Sequence, residues 1–503
     1  MILEMEILWS LILNIDKLKK SKTFCPFPFM NLNSNTDGSV KICCAQNENM
    51  HLKKDDGTTF NLYEDDISEV WNSKHIQDIR KRLLNGEQIQ ECNVCWNIEN
   101  AEKDYGGHDA PKSTRIDSIE SYMEKDGIFN WMGDSLEKNI QSTLEYGWVR
   151  ESLKSLELRL GNHCNLTCNM CWGYSSSKIN SERLTLLKNR DKTMPPWLFN
   201  MWYPEEYNIS KIDMMWHEDP KFLENFKEVA PTLKRLYVTG GEPSIIEANT
   251  KIINHLIAIG NKECHVSFTT NLTTWNLDLY EKLEFFDRSE VQVSLDGYKE
   301  SQEYIRYGSN WEVIEDNFKK LIQLPTKVRI QIYTVFQVYN MFETYKMMKW
   351  LDSLRIDGLL KREVGFYSIL IDQPLYLRTN FMPWEIKDKA MKLYREFYDY
   401  STYDNEYLDF HGTANKIISY LESNWEPHKS YGKYCQGVEQ TELNQRKMFY
   451  QYTRYMDKVR NTSFFETFPE WRELKKEFDD AQDEHLMTPN WWIDDKIPKN
   501  KRK

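Results

Sequence analysis

Leu156-Glu157-Leu158-Arg159-Leu160-Gly161-Asn162-His163-Cys164-Asn165-Leu166-Thr167-Cys168-Asn169-Met170-Cys171 is the stretch on which the reading of this chain turns. Residues 156–160 alternate apolar and charged side chains with period two, as a strand with one buried face requires. That strand runs straight into three cysteines spaced C-x3-C-x2-C. Ligand loops at the carboxyl ends of strands are where α/β folds collect their chemistry.

The same strand-then-turn pattern recurs downstream. Residues 235–239 end at Gly240-Gly241, 266–269 at Thr270-Asn271 and 291–295 at Asp296-Gly297, while 328–336 and 364–371 supply two more strands. Amphipathic helical patterns lie between them. Six strands alternating with helices predict a parallel α/β sheet curved into a partial or full barrel over about 151–380.

Around that core the chain divides into four further regions. Residues 1–21 are an N-terminal segment whose apolar run 7–13 follows Glu4 and Glu6, so it reads as a short docked helix and not as a secretory signal. Residues 22–110 carry five cysteines and many turn residues, and 111–150 read as a polar, weakly periodic connector. Residues 381–503 read as helices, for example 386–398 and 439–459, ending in a solvated basic tail at 499–503.

The 503 residues suggest two to four domains at about 150 residues each. With 40% hydrophobic and 28% charged residues, the composition is neither disordered nor membranous. No apolar run approaches the roughly 18–20 residues that span a bilayer. A net charge of -12 disfavours a broad nucleic-acid footprint. By elimination the expected location is cytoplasmic, where thiols stay reduced and grouped cysteines bind metal.

There are ten cysteines. Cys164, Cys168 and Cys171 can wrap one face of an iron–sulfur cubane and leave its fourth iron open to a ligand. A structural zinc would want a fourth protein ligand, and His163 offers poor bite geometry for it. Cys25, Cys43, Cys92 and Cys95 are four well-spaced thiols that can close a site completely, and zinc or a fully ligated cluster both satisfy that arithmetic. In a strand Cys43 and Cys44 point to opposite faces, and the spacing from Gly38 selects Cys43. Cys264 reads as core within an apolar strand and Cys435 as an isolated loop thiol.

The triplet, with Gly240-Gly241-Glu242-Pro243 after the second strand, resembles the radical S-adenosylmethionine (radical SAM) superfamily. Met170 stands where that superfamily often carries an aromatic residue. The resemblance implies a (β/α)6 partial TIM barrel and a catalytic 4Fe–4S cluster on Cys164, Cys168 and Cys171. S-adenosylmethionine would bind on its open iron and be cleaved reductively to a 5′-deoxyadenosyl radical. It further implies cosubstrate contacts from Gly240, Gly241, Glu242 and Pro243, with Glu242 receiving the ammonium group. Asn271, Ser294 and Asp296 match polar positions that contact ribose or carboxylate in relatives. Arg306 resembles a carboxylate-binding arginine of some members, and equally reads as a solvated helix-end residue.

Cys25 and Cys43, spaced C-x12-G-x4-C about Gly38, are similar to the opening of the SPASM or twitch auxiliary-cluster modules. Here the module precedes the barrel, an order that resembles one radical SAM family with an N-terminal twitch domain. Cys25-Pro26-Phe27, Cys95-Trp96 and Ser113-Thr114-Arg115 fit the same family. The implied cofactor is an auxiliary 4Fe–4S cluster on Cys25, Cys43, Cys92 and Cys95.

The expected function is therefore hydrogen abstraction by a radical SAM enzyme from a peptide or protein side chain, or from a small metabolite. The expected partners are a small electron donor such as flavodoxin or ferredoxin and the substrate, with no membrane and no nucleic acid. The competing expectation is a non-catalytic zinc- or cluster-binding protein with a degenerate barrel. The insertion 195–216, with Trp197, Trp202, Tyr203, Tyr207 and Trp216, reads either as a wall over the barrel mouth or as packing for the insertion itself.

Overall fold

A computed structural model describes residues 15–47, 50–101, 112–371, 373–400, 410–423, 438–481 and 486. The apolar run 7–13, Cys435 and the basic tail lie outside them. Eight strands form one sheet: β1 (Asn31–Ser34), β2 (Val40–Lys41), β3 (Ser155–Arg159), β4 (Arg235–Thr239), β5 (His265–Thr270), β6 (Ser289–Ser294), β7 (Val328–Phe336) and β8 (Val364–Leu370). Their order is β2-β1-β3-β4-β5-β6-β7-β8. The six strands read from the sequence are β3 to β8, in chain order across the sheet. This is an α/β fold with a helical C-terminal region, as expected for a partial barrel.

Two further strands join the six. The N-terminal region contributes β1, which pairs in parallel with β3, and β2, which pairs antiparallel with β1. The β1–β2 turn closes through Gly38 at φ +83°, with its N–H donating to the Asn35 carbonyl at 3.0 Å. Glycine takes that φ without the clash a Cβ brings.

The chain forms two compact units. One comprises Met1–Gly161, Asp213–Phe268 and Leu277–Glu290, and the other Asn162–Ile212, Thr269–Asn276 and Val291–Lys503. In the first, residues 111–150 do not behave as a polar connector. They carry α1 (Thr114–Met123) and α2 (Gly133–Tyr146). Ile119, Tyr122, Met123, Leu136 and Ile140 of these helices pack with Phe24 and Phe29 in one hydrophobic cluster. Apolar side chains three and four apart make that face, and the polar remainder of the same helices masked it in the sequence. A buried ion pair joins β3 to β4. Glu157 accepts from Arg235 Nη1 at 2.9 Å and from Asn33 Nδ2 at 3.0 Å.

In the second unit, β3's loop is followed by α3 (Ser177–Lys188) and α4 (Pro196–Ile209). Further on come α5 (Glu300–Ile305), α6 (Trp384–Tyr400), α7 (Phe410–Glu422) and α8 (Glu442–Arg460). One face of β7 and β8 is covered by helices: Phe336 meets Tyr394 and Phe366 meets Phe410. On the other face Tyr333 and Tyr367, register partners, stack at 5.3 Å. No helix among the described residues is long and apolar enough to cross a membrane.

The aromatic insertion packs inward. Trp197 and Trp202 are buried in the second unit, where Trp197 Nε1 donates to Gln451 Oε1 at 2.8 Å. Tyr203 stacks on Phe199 and lies beside Tyr207. Trp216 belongs to the first unit, where its Nε1 donates to the Thr36 carbonyl at 2.7 Å. Of the two readings of the insertion, its tryptophans serve packing.

Candidate functional site

Cys25, Cys43, Cys92 and Cys95 line one pocket, with Thr114 and Arg115 beside them. Each arrives from different local structure. Cys25 precedes the Phe27–Met30 turn of helix, Cys43 follows β2, and Cys92 and Cys95 sit where a short 3-10 helix passes into a helix at Asn93. β2 ends at Lys41, so Cys43 and Cys44 lie in a bend and not in a strand as read from the sequence. The bend is pinned by Gln46, whose Oε1 accepts from Ile42 N at 2.7 Å. Its effect is still to separate the two thiols. Cys43 is buried with the other three, whereas Cys44 is exposed and neighbours Glu157 and Arg159.

The four thiols suit a metal cluster by their chemistry. Burial pushes the Cys25 thiol up to about 12, and burial with neighbouring thiols pushes Cys43 and Cys92 up as well. Buried thiols that repel each other's charge hold protons until metal replaces them. The surroundings are fixed by Arg115, which pairs with Glu99 through Nη2 at 2.6 Å and donates through Nη1 to the Phe24 carbonyl at 2.9 Å. Ser118 Oγ lies 3.7 Å from the Cys25 sulfur. Among the described residues, no group of three or more His, Cys, Asp or Glu converges on a single metal ion.

The second set of thiols is the loop after β3. Cys164, Cys168 and Cys171 are partly buried; burial raises Cys168 against the opposing charge of Arg306, and burial with the charge of Cys164 pushes Cys171 up to about 11. His163 is exposed. The loop is held along its whole length. Asn165 Nδ2 donates to Thr273 Oγ1 at 2.7 Å and Asn271 Nδ2 donates to Asn165 Oδ1 at 2.9 Å. Thr167 N donates to the Tyr307 carbonyl at 2.9 Å. Arg183 Nη2 donates to the Cys171 carbonyl at 2.8 Å, and its Nη1 to Glu206 Oε1 at 2.7 Å. Glu206 is wholly buried, so this ion pair is desolvated.

Asn271 thus holds the cysteine loop, and its Oδ1 also accepts from Thr273 N at 3.0 Å. Ser294 is half-buried at the end of β6. Asp296 is buried and committed: its Oδ1 accepts from Val335 N and its Oδ2 from Arg306 Nε, both at 2.6 Å. Arg306 is therefore no solvated helix-end residue. It is a mostly covered cation held by Asp296.

In the first unit, β4 ends at Gly240 and Gly241, with φ +86° and +53°. A Cβ on Gly240 would come within 3.0 Å of Arg159 Cα and 3.1 Å of the Gly161 carbonyl oxygen. Both the backbone and the close approach demand glycine. Glu242 is buried and its Oε1 accepts from Ser244 N at 3.1 Å, starting the short helix Pro243–Ile245. Cys264 is buried just before β5 begins, one residue outside the strand expected for it.

The sequence reading missed Asn165, Asn169, Arg183, Glu206, Tyr452 and Arg460. The two asparagines lie inside the quoted stretch, where their interleaving with the cysteines was the available signal. The others come from α3, α4 and α8 and carry no local mark.

Comparison with known proteins bears on both cysteine sets. The profile of the radical SAM superfamily matches residues 158–351, and that of an iron–sulfur cluster-binding domain of the SPASM type matches residues 25–96. No curated protein matches the chain. Among solved structures, Streptococcus suis SuiB is similar at 13% identity and TM-score 0.32, over 78% of this chain and 73% of that one. SuiB bound to precursor peptide SuiA gives 12% and 0.30, over 74% and 71%. TYW1 with a lysine-pyruvate adduct gives 15% and 0.26, over 50% and 76%. Likeness at this level bears on neither substrate nor reaction.

Proposed function

We propose, from the premise that this chain is a radical SAM enzyme with a SPASM-type iron–sulfur domain ahead of its barrel, that it abstracts hydrogen from an organic substrate. Its cofactors are a 4Fe–4S cluster with S-adenosylmethionine and an auxiliary iron–sulfur cluster. The observation that carries the proposal is the division of seven thiols into a closed set of four and an open set of three, the latter directly after β3.

In this reading Cys164, Cys168 and Cys171 hold the first cluster, and Cys25, Cys43, Cys92 and Cys95 hold the second. Held on those three thiols, a 4Fe–4S cluster would supply the electron for reductive cleavage of S-adenosylmethionine, the source of a hydrogen-abstracting radical. The chain's own residues bind and orient. Glu242 receives the cosubstrate's ammonium group, a role that rests on the family's motif. The Gly240-Gly241 turn has no side chain of its own to stand between its main-chain N–H groups and a ligand. Arg306, locked by Asp296, presents a fixed cation for a carboxylate, and Ser294 offers a hydroxyl at the end of β6. Asn271 acts on the loop through Asn165.

The substrate class is a peptide or protein side chain or a small metabolite, and the reductant is a small flavodoxin- or ferredoxin-like donor. Protein reconstituted anaerobically and given dithionite and S-adenosylmethionine should form 5′-deoxyadenosine slowly without substrate. No product from a fully loaded, reducible protein would sink the proposal.

A further inference from the structure

Asn169 stands between the second and third cysteines of the open set, and every polar group it has is taken. Its N–H donates to the Ile305 carbonyl at 2.9 Å and its Nδ2 to the Tyr304 carbonyl at 3.0 Å. Its Oδ1 accepts from Arg460 Nη1 at 2.7 Å, and the Tyr452 hydroxyl donates to its carbonyl at 3.2 Å. Tyr452 and Arg460 are eight residues apart on α8, a spacing that brings both to one stripe of the helix.

Arg460 uses its whole fork. Besides Asn169 it holds Glu182 on α3, Nε to Oε1 at 3.1 Å and Nη2 to Oε2 at 2.8 Å. Its plane lies 4.8 Å over the Tyr307 ring, and the Tyr307 hydroxyl donates to its carbonyl at 3.2 Å. One turn earlier, Asp457 accepts from the Tyr304 hydroxyl at 2.8 Å. So α8 grips both the cysteine loop and the segment 304–307 that contains Arg306. Asn169 and Tyr452 are 2% and 1% exposed and Arg460 9%, so these bonds are made out of water. Breaking one leaves a buried polar or charged group without its partner. A lysine cannot replace the arginine, because only the planar fork reaches Glu182 twice and Asn169 once.

We propose that α8 is a clasp for the cluster loop. Tyr452 and Arg460 are positioning residues that hold Asn169, and through it Cys168 and Cys171, in ligating geometry, while the Arg460 charge favours the reduced cluster. This rests on the reading that Cys164, Cys168 and Cys171 hold the cluster that binds S-adenosylmethionine. Partners of this kind, one shell beyond the ligands, typically change metal affinity by about 10- to 100-fold when lost. Nearby charge and hydrogen bonding also set cluster potentials.

The test uses the full chain loaded with about eight iron, the content of two 4Fe–4S clusters. Chelator stripping with bathophenanthroline and redox titration followed by EPR are compared for Arg460→Gln, Arg460→Lys, Asn169→Ala and wild type. In Arg460→Gln and Asn169→Ala, half of the iron should leave about 10-fold faster or more, with the other half kept at the wild-type rate. The midpoint of the cluster that responds to S-adenosylmethionine should fall in Arg460→Gln and be restored in Arg460→Lys, whose stripping stays fast. Wild-type stripping and midpoint in both variants would overturn the clasp. So would simultaneous loss of all the iron, which marks general destabilisation. If the Cys164→Ala/Cys168→Ala/Cys171→Ala variant keeps its full iron, the cluster assignment itself falls and takes the clasp with it.

Discussion

Arg306 Nε donates to Asp296 Oδ2 at 2.6 Å, and the other oxygen of the same carboxylate accepts from the main chain of Val335 on β7. One buried carboxylate thus ties the turn after β6 to a neighbouring strand and fixes a cation. Removing one partner of such a pair leaves an uncompensated charge in a desolvated place.

Asp296→Ala should therefore destabilise the protein by about 3–5 kcal/mol, as breaking a buried pair does. Urea denaturation reads this directly. Combining it with Arg306→Met should recover part of the loss, because the orphaned cation goes with it. A double variant no more stable than the single one would show that Val335, and not Arg306, is the contact that matters.

Gly240→Ala should cost more than Gly260→Ala. Both glycines have positive φ, +86° and +73°, so both substitutions meet the left-handed penalty of about 1–2 kcal/mol. Around Gly260 nothing lies within 4 Å of a new Cβ, whereas at Gly240 the main chain of Arg159 and Gly161 stands about 3 Å away. The difference between the two melting shifts isolates the steric part. Equal shifts would mean that β4's turn can move aside.

Glu242→Gln should weaken S-adenosylmethionine binding by about 1.5–3 kcal/mol, the worth of a hydrogen bond to a charged group. The glutamine keeps an oxygen to accept from Ser244 N, so the fold should melt at the wild-type temperature. Equilibrium binding to the loaded protein checks the first half and a thermal melt the second. Unchanged affinity would remove Glu242 from the cosubstrate site.

Iron content separates the two thiol sets. Protein prepared without oxygen should carry about eight iron, and replacing Cys164, Cys168 and Cys171 by alanine should leave about half. Cys44→Ala should leave the full amount, since its thiol lies outside the pocket that the other four line. Elemental analysis that finds zinc, with only about four iron, would overturn the auxiliary cluster.

Cys95→Ala distinguishes which cluster meets the cosubstrate. S-adenosylmethionine should still perturb the EPR signal of the cluster on Cys164, Cys168 and Cys171 in this variant. The perturbation should vanish in Cys168→Ala. The reverse pattern would mean that the two sets have been assigned the wrong way round.

Much of the fold was legible because its signals are short-range. Each of β3 to β8 announces itself by alternation or an apolar run, and β3 to β6 then stop at Gly, Asn or Asp, all within a dozen residues. The three open-set cysteines are also neighbours in sequence, so one loop brings them together. The closed set was legible through Gly38 and the Cys92–Cys95 knuckle, although the strand argument offered for Cys43 was wrong in detail. The bend at Gln46 does the separating instead. The reading of 111–150 failed because its helices bury narrow stripes, and exposed polar residues between them hid the period.

By itself the sequence determined the barrel strands, the two cysteine sets and the glycine–acid turn, since each is decided by residues within one element or one loop. Only the tertiary structure decided that β1 joins β3 and that Asp296 serves Arg306 and Val335. It also placed Asn271 on the cysteine loop, and α8 too, through a bond from Arg460 to Asn169 spanning 291 residues. A hydrogen bond between distant segments imposes no periodicity and no spacing on either one. It exists only because burial removes water as a competing partner, and burial is a property of the assembled chain.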